Sequence, residues 1–146
     1  RNAGKRLSHE EALALIDECE ELGLIHTCEN SIRMRPRWGM CNCCTDCCMI
    51  YEPINRFQAL VTKCIAKSRY EARMDEELCT GCEICVDWCP FSAIKMVKPE
   101  GSKVQKAIVD IEKCMGCGVC VLKCDYQALN LKLVRPPQHI PQELAL

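Results

Sequence analysis

The chain opens with an amphipathic pattern that predicts a helix near its amino end. Apolar residues recur at spacings of three and four, at Ala12, Leu15, Ile16, Cys19 and Leu22. This period predicts one buried helical face. Ser8 and Glu11 form the sequence signature of a capping box, and Gly23 stands where helices usually end. Residues 24–26 then predict a short buried strand or turn.

A second helical pattern precedes the most regular part of the chain. It follows Pro53, which favours a first helical turn, and consists of Ile54, Phe57, Leu60, Val61, Cys64 and Ile65. This helix is expected to pack residues 1–69, a helical cysteine-rich region, against the residues that follow. At the other end, three prolines within residues 135–141 predict that residues 135–146 form an extended, proline-rich tail.

The pattern between these segments is duplicated. Each copy contains a short strand, a loop, a helical turn and a second strand, and the second copy follows the first by 35 residues. The matching positions are Asp75 with Asp110, Gly81 with Gly116, Ala93 with Ala128, and Ile94 with Leu129. Two such units, related by a pseudo-twofold axis, predict an α+β domain over residues 70–134.

The duplicated loops carry cysteines at identical spacing. The runs are Cys79-x-x-Cys82-x-x-Cys85-x-x-x-Cys89 and Cys114-x-x-Cys117-x-x-Cys120-x-x-x-Cys124. This spacing is typical of bacterial iron–sulfur sites, in which three thiolates on one loop reach different irons of a cubane. A disulfide framework, a zinc site and a fold that has lost its clusters are the alternatives. The cysteines lie too close for clean pairing, and the triple run suits a cubane better than zinc.

With these motifs, residues 70–134 resemble a bacterial-type two-cluster ferredoxin domain. The resemblance implies two 4Fe–4S clusters in a ferredoxin-like fold with a pseudo-twofold repeat. The implied ligands are Cys79, Cys82, Cys85 and Cys124 for cluster 1, and Cys114, Cys117, Cys120 and Cys89 for cluster 2. Asp125 follows Cys124 where Pro90 follows Cys89, and a carboxylate near cluster 1 predicts that this cluster is harder to reduce.

A further group of cysteines lies before the duplicated unit. Five of the eight residues in positions 41–48 are cysteines, namely Cys41, Cys43, Cys44, Cys47 and Cys48. Adjacent cysteines point apart, so they are not expected to share one small site, whereas Cys44 and Cys48 would share one face of a helix. We interpret the segment as a third metal centre, preferably iron–sulfur. Zinc and unligated thiols stay open, and Cys28, His26 and Cys64 are candidate completing ligands.

Composition agrees with an iron–sulfur protein. The 146 residues include 16 cysteines but only 5% aromatics, so clusters are expected to replace part of the core. Unpaired thiols favour a reducing cytoplasm. The net charge of −1 shows no basic field for nucleic acid, and no run of 18 apolar residues predicts a membrane span. Because Arg1 stands where an initiator Met is usual, the chain is expected to belong to a longer protein.

Residues 10–26, the Cys41–Cys48 segment and the two cysteine runs occur here in one order. In this arrangement almost the whole chain is similar to the C-terminal half of cytosolic 4Fe–4S binding proteins of anaerobes. That similarity implies electron transfer, with oxidoreductase subunits or flavoproteins as partners, as a module or subunit of a larger redox system. Two alternatives stay open at this point. One is an enzyme subunit with a catalytic metal centre at Cys41–Cys48, and the other is a structural zinc-binding interaction module.

Overall fold

The computed structural model describes residues 4–28 and 39–139 and has an α+β architecture. The amino-terminal part contains α1 (His9–Glu21), β1 (Ile25–Cys28), β2 (Met40–Cys43), α2 (Glu52–Phe57) and α3 (Val61–Cys64). The duplicated part contains β3 (Tyr70–Met74), α4 (Ile84–Asp87), β4 (Ile94–Val97), β5 (Lys106–Val109), α5 (Val119–Leu122) and β6 (Leu129–Leu133). None of the described helices is long and apolar enough to cross a membrane.

Helix α1 begins and ends where the sequence predicts. The Glu11 amide donates to Ser8 Oγ at 3.2 Å, and the Ser8 amide donates to Glu11 Oε2 at 2.8 Å, which completes the capping box. The helix ends before Gly23, whose φ is +73°. The buried face is narrower than predicted, because Leu15 and Leu22 are exposed while Cys19 is buried.

Strands β1 and β2 pair antiparallel, which brings the cysteine-rich segment into a small apolar core. Ile25 lies opposite Cys43 in the register. Both side chains pack with Tyr51 and Val119, so this core joins the amino-terminal part to α5. Tyr51 is only 2% exposed and is the largest aromatic side chain in this cluster.

The single helix predicted after Pro53 is replaced by two short ones. Gln58 adopts a left-handed conformation with φ +55°, which ends α2, and α3 starts at Val61. Phe57 and Leu60 are consequently exposed, although the pattern predicts that they are buried. Ile54 and Ile65 do pack against the core around Tyr51.

The duplicated part confirms the repeat. Helix α5 lies 35 residues after α4, and the left-handed residues Ser92 and Gln127 have the same separation. Strand β3 pairs with β6 and β4 pairs with β5, so each sheet contains one strand from each half. The repeated core positions are all buried, at Ala72 with Ala107, Ala93 with Ala128, and Ile94 with Leu129.

The start of the proline-rich tail is attached to β3 and is not extended throughout. Arg135 donates to Glu71 Oε1 at 2.6 Å and to the Ser68 carbonyl oxygen at 2.7 Å. Glu71 is buried and also accepts a hydrogen bond from Arg73 at 2.8 Å. Pro137–His139 then form one turn of 3-10 helix, where the sequence predicts extended chain. Residues 140–146 of the predicted tail lie outside the described residues.

Candidate metal centres

Two small cavities of equal size, about 20 Å³ each, lie between the halves of the duplicated part. The first is lined by the thiols of Cys79, Cys82, Cys85 and Cys124. The second is lined by the thiols of Cys89, Cys114, Cys117 and Cys120. The structure therefore brings together the same two sets of four cysteines that the ferredoxin resemblance implies.

The fourth cysteine of each run lines the cavity of the other half, because each short helix carries the chain from one cavity to the other. Helix α4 carries Cys85 toward the first cavity, and the chain then leaves its end so that Cys89 lines the second. Helix α5 does the reverse, since Cys120 lines the second cavity and Cys124 the first. Each cavity thus takes three thiols from one half and one from the other.

Backbone amides point at two of these sulfurs. The Ala93 amide donates to Cys89 Sγ at 3.2 Å, and the Ala107 amide lies 3.5 Å from Cys79 Sγ. Hydrogen bonds to cysteine sulfurs are among the interactions that tune an iron–sulfur site. Most of the remaining lining is apolar, including Met74, Met96 and Leu129 at the first cavity and Phe91, Ile94 and Val109 at the second.

Glycines at matching positions let the loops approach the neighbouring strands. Gly81 and Gly116 have φ +79° and +72°, a conformation that other residues rarely adopt. A Cβ on Gly116 would overlap the Tyr70 carbonyl oxygen, and one on Gly81 would lie 2.5 Å from the Gln105 carbonyl oxygen. Both cysteine loops therefore require glycine at the position directly before their second cysteine.

Three of the thiols in the cavities have a raised pKa and are hard to ionise on their own. Burial, followed by the neighbouring thiols, raises the pKa of Cys85 to about 11 and that of Cys120 to about 12. Burial likewise raises the pKa of Cys117 to about 11. Cys85 of the first cavity and Cys120 of the second belong to one buried cluster, so the two cavities adjoin. Thiolates here need a positively charged centre among them, and four thiolates are the usual ligand set of a 4Fe–4S cluster.

Asp125 contributes less to the first cavity than its position in sequence predicts. Its side chain is exposed and is absent from the residues that line the cavity, whereas Lys123 and Tyr126 on either side are among them. Solvent therefore screens its carboxylate. A weaker effect of Asp125 on the first site is therefore expected than its position in the sequence predicts.

The five cysteines of positions 41–48 separate into two pairs and one single residue. Cys44 Sγ lies 3.2 Å from Cys47 Sγ, and the Asp46 carboxylate joins them within 4.8 Å. Cys43 and Cys48 hydrogen-bond to each other on the inner side, where Cys43 Sγ also accepts from Thr27 Oγ1 at 3.3 Å. Cys41 is exposed. Adjacent cysteines thus point apart, as predicted, but the predicted pairing of Cys44 with Cys48 is wrong because residues 44–48 are not helical.

The outer and inner thiols have different electrostatic surroundings. The pKa of Cys47 is raised to about 11, mainly by its hydrogen bond with the Cys44 thiol and next by the negative charge of Asp46. Burial raises the pKa of Cys43. Burial also opposes ionisation of Cys48, but hydrogen bonds from the Ile50 and Tyr51 backbone and from the Cys43 thiol outweigh it and lower its pKa.

Asp46 is the residue that the sequence interpretation missed, although Cys44-Thr45-Asp46-Cys47 is a C-x-x-C motif with an acidic residue inside it. None of Cys28, His26 and Cys64, the candidate completing ligands, belongs to this group in the described part of the chain. His26 instead pairs through Nδ1 with Asn42 Oδ1 at 2.8 Å, and its Nε2 lies 3.6 Å from Glu20.

Comparison with known proteins agrees with the two cavities. Residues 78–128 match the family model described as 4Fe-4S dicluster domain. These residues span both cysteine runs. The match supports a 4Fe–4S binding protein. It covers about a third of the chain and leaves the amino-terminal part outside it.

Two curated relatives from Methanopyrus kandleri are similar to short stretches of the chain, and both are iron-sulfur subunits of CoB--CoM heterodisulfide reductase. The first is 39% identical over 46 residues, or 32% of this chain and 7% of that protein. The second is 48% identical over 33 residues, or 23% of this chain and 5% of that protein. The aligned stretch is less than a tenth of either relative.

Proposed function

We propose that the chain is an electron-transfer protein whose residues 70–134 form a ferredoxin-like domain that binds two 4Fe–4S clusters. The observation that carries the proposal is the pair of matched cavities, each lined by four thiols from both halves of the repeat. Cys79, Cys82, Cys85 and Cys124 are the proposed ligands at the first cavity. Cys89, Cys114, Cys117 and Cys120 are the proposed ligands at the second.

The donor set suits iron–sulfur clusters better than zinc. A structural zinc ion takes four ligands at one point, usually from two separated knuckles. Here three thiols of each set come from one loop and one helical turn, and apolar side chains fill the remaining lining. Each cluster, when bound, takes up or releases one electron.

The chain's own residues position and tune the sites. The Ala93 and Ala107 amides direct hydrogen bonds toward the Cys89 and Cys79 sulfurs, and such bonds help to set the reduction potential of a cluster. Met74, Met96 and Ile94 limit water around the cavities. Cys85 and Cys120 pack in one buried cluster, so the two sites are neighbours and are suited to passing electrons between them.

A larger redox system is the proposed setting. Both similar proteins are iron–sulfur subunits of a heterodisulfide reductase, which supports oxidoreductase subunits as partners of this chain. The 16 cysteines suit a reducing, anaerobic cytoplasm. The short coverage of the relatives leaves the particular electron donor and acceptor open to experiment.

The test is anaerobic purification followed by metal and sulfide analysis and redox titration. Two clusters require about eight iron and eight sulfide per chain, with two one-electron reductions. About four iron per chain with one reduction step would contradict the second site. A protein that holds both clusters but accepts no electron from a low-potential donor would contradict the electron-transfer role.

A further inference from the structure

The cysteine-rich segment offers a site of a different kind on its outer side. Cys44 and Cys47 bracket two residues after β2, and their sulfurs lie 3.2 Å apart. One carboxylate oxygen of Asp46 lies within 4.8 Å of both sulfurs. Asp46 also accepts a hydrogen bond from the Cys47 amide at 2.9 Å, which holds its carboxylate at the turn.

We propose that Cys44, Asp46 and Cys47 bind one divalent metal ion of the zinc type, separate from the two iron–sulfur sites. Zinc bonds of about 2.3 Å to sulfur place two tetrahedral thiolates about 3.8 Å apart. The two sulfurs therefore need to separate by only about 0.6 Å from their 3.2 Å distance to hold the ion. Because Asp46 and Cys47 are exposed and the turn is irregular, the adjustment displaces no packed core.

The arrangement does not suit a third cubane within the described residues. A cubane needs four ligands around one space, as the two cavities of the duplicated part provide. Here Cys43 and Cys48 turn inward to the core around Tyr51, while Cys44 and Cys47 turn outward. The thiols of the segment therefore divide between two sides of the chain and do not surround one space.

The ligand chemistry also favours zinc. A carboxylate oxygen beside two thiolates is an ordinary zinc ligand set, with the fourth position open to water or to a residue of a partner. Two thiolates and one carboxylate carry three negative charges, two of which a divalent ion offsets. The proposed zinc site is additional to the proposed electron-transfer function and independent of it, because no zinc ligand lines either cavity.

The site is tested on the full chain purified anaerobically with its clusters. Zinc and iron are measured together, and zinc X-ray absorption reports the metal's ligands without interference from iron. We expect one zinc per chain with two sulfur ligands and oxygen ligands. The double variant Cys44→Ser/Cys47→Ser should lose at least nine-tenths of the zinc and keep its iron, and Asp46→Asn should bind zinc about tenfold more weakly or worse.

Cys41→Ser is the matched control, since Cys41 is an exposed cysteine of the same segment outside the group. It should keep both zinc and iron. Iron near twelve per chain, with four lost in the double variant, would overturn the proposal in favour of a third cubane. Zinc content equal in all variants, or ready alkylation of Cys44 and Cys47 in the native protein, would also overturn it. Iron content reports separately on the two-cluster proposal.

Discussion

Exchange of the fourth cysteine between the halves leads to a direct test with Cys89→Ala. Cys89 follows the first cysteine run in sequence, but its side chain lines the second cavity. We therefore expect this variant to damage the site formed by Cys114, Cys117 and Cys120. Alanine is chosen because a serine oxygen could still bind iron.

The size of the effect follows from the ligand count. The second cavity keeps three thiols of four, so about four of the eight iron atoms should be lost or easily removed. The variant also loses the hydrogen bond of 3.2 Å from the Ala93 amide to Cys89 Sγ. That bond contributes about 1 kcal/mol, which is small beside the loss of a cluster ligand.

The assay compares four variants of the anaerobic protein by iron content and by electron paramagnetic resonance after reduction. Cys82→Ala and Cys117→Ala are the references, since each removes a loop thiol from one cavity only. The remaining signal of Cys89→Ala should match that of Cys117→Ala. The remaining signal of Cys124→Ala should match that of Cys82→Ala.

The opposite assignment is the refuting result. If the signal of Cys89→Ala matches that of Cys82→Ala, each cysteine run binds its own cluster, and the exchange of the fourth cysteine inferred from the cavities is wrong. Equal damage to both signals would show general unfolding, and the Cys124→Ala variant then decides whether either half depends on the other.

Two further predictions concern stability. Removal of iron by a chelator should unfold residues 70–134, because their core consists largely of alanines and cysteines around the cavities. A nuclear magnetic resonance spectrum of the iron-free chain that keeps the native amide dispersion of these residues would contradict this prediction. Gly116→Ala should lower the free energy of unfolding by about 1–2 kcal/mol for the left-handed backbone alone, and by more because its Cβ overlaps the Tyr70 carbonyl oxygen. Gly101→Ala is the control for thermal unfolding, because its φ is +80° and nothing lies within 4 Å of its Cβ; equal losses in the two variants would refute the overlap.

Local and repeated features of the fold could be predicted from the sequence. The capping box at Ser8 depends on residues three apart, so it is visible without the tertiary structure. The repeat is equally visible, because identical cysteine spacing imposes the same loop and turn in both halves. The two sets of four thiols followed from the family resemblance, and the structure brings each set to one cavity.

Features that depend on packing partners could not be predicted. Leu15 and Leu22 have helical spacing, but nothing among the described residues covers them fully. Tyr51 is an isolated aromatic residue in the sequence, yet the fold places it between the cysteine-rich segment and Val119. The pairing of Cys44 with Cys47 depends on an irregular turn, which periodicity arguments for helices do not describe.

The amino-terminal part makes the two cavities unequal, although the duplicated sequence makes them similar. At the first cavity Cys82 is exposed and the charged residues Glu83 and Lys123 line the rim. At the second, Cys114 and Met115 are buried, every lining residue other than cysteine is uncharged, and the core around Tyr51 packs against Cys117. Since reduction adds negative charge and a drier site disfavours it, we expect the second site to have the lower reduction potential.

A redox titration of Cys82→Ala, which retains the second site, and Cys117→Ala, which retains the first, measures both potentials. Equal potentials, or a higher one in Cys82→Ala, would show that burial by the amino-terminal part is not what distinguishes the two sites.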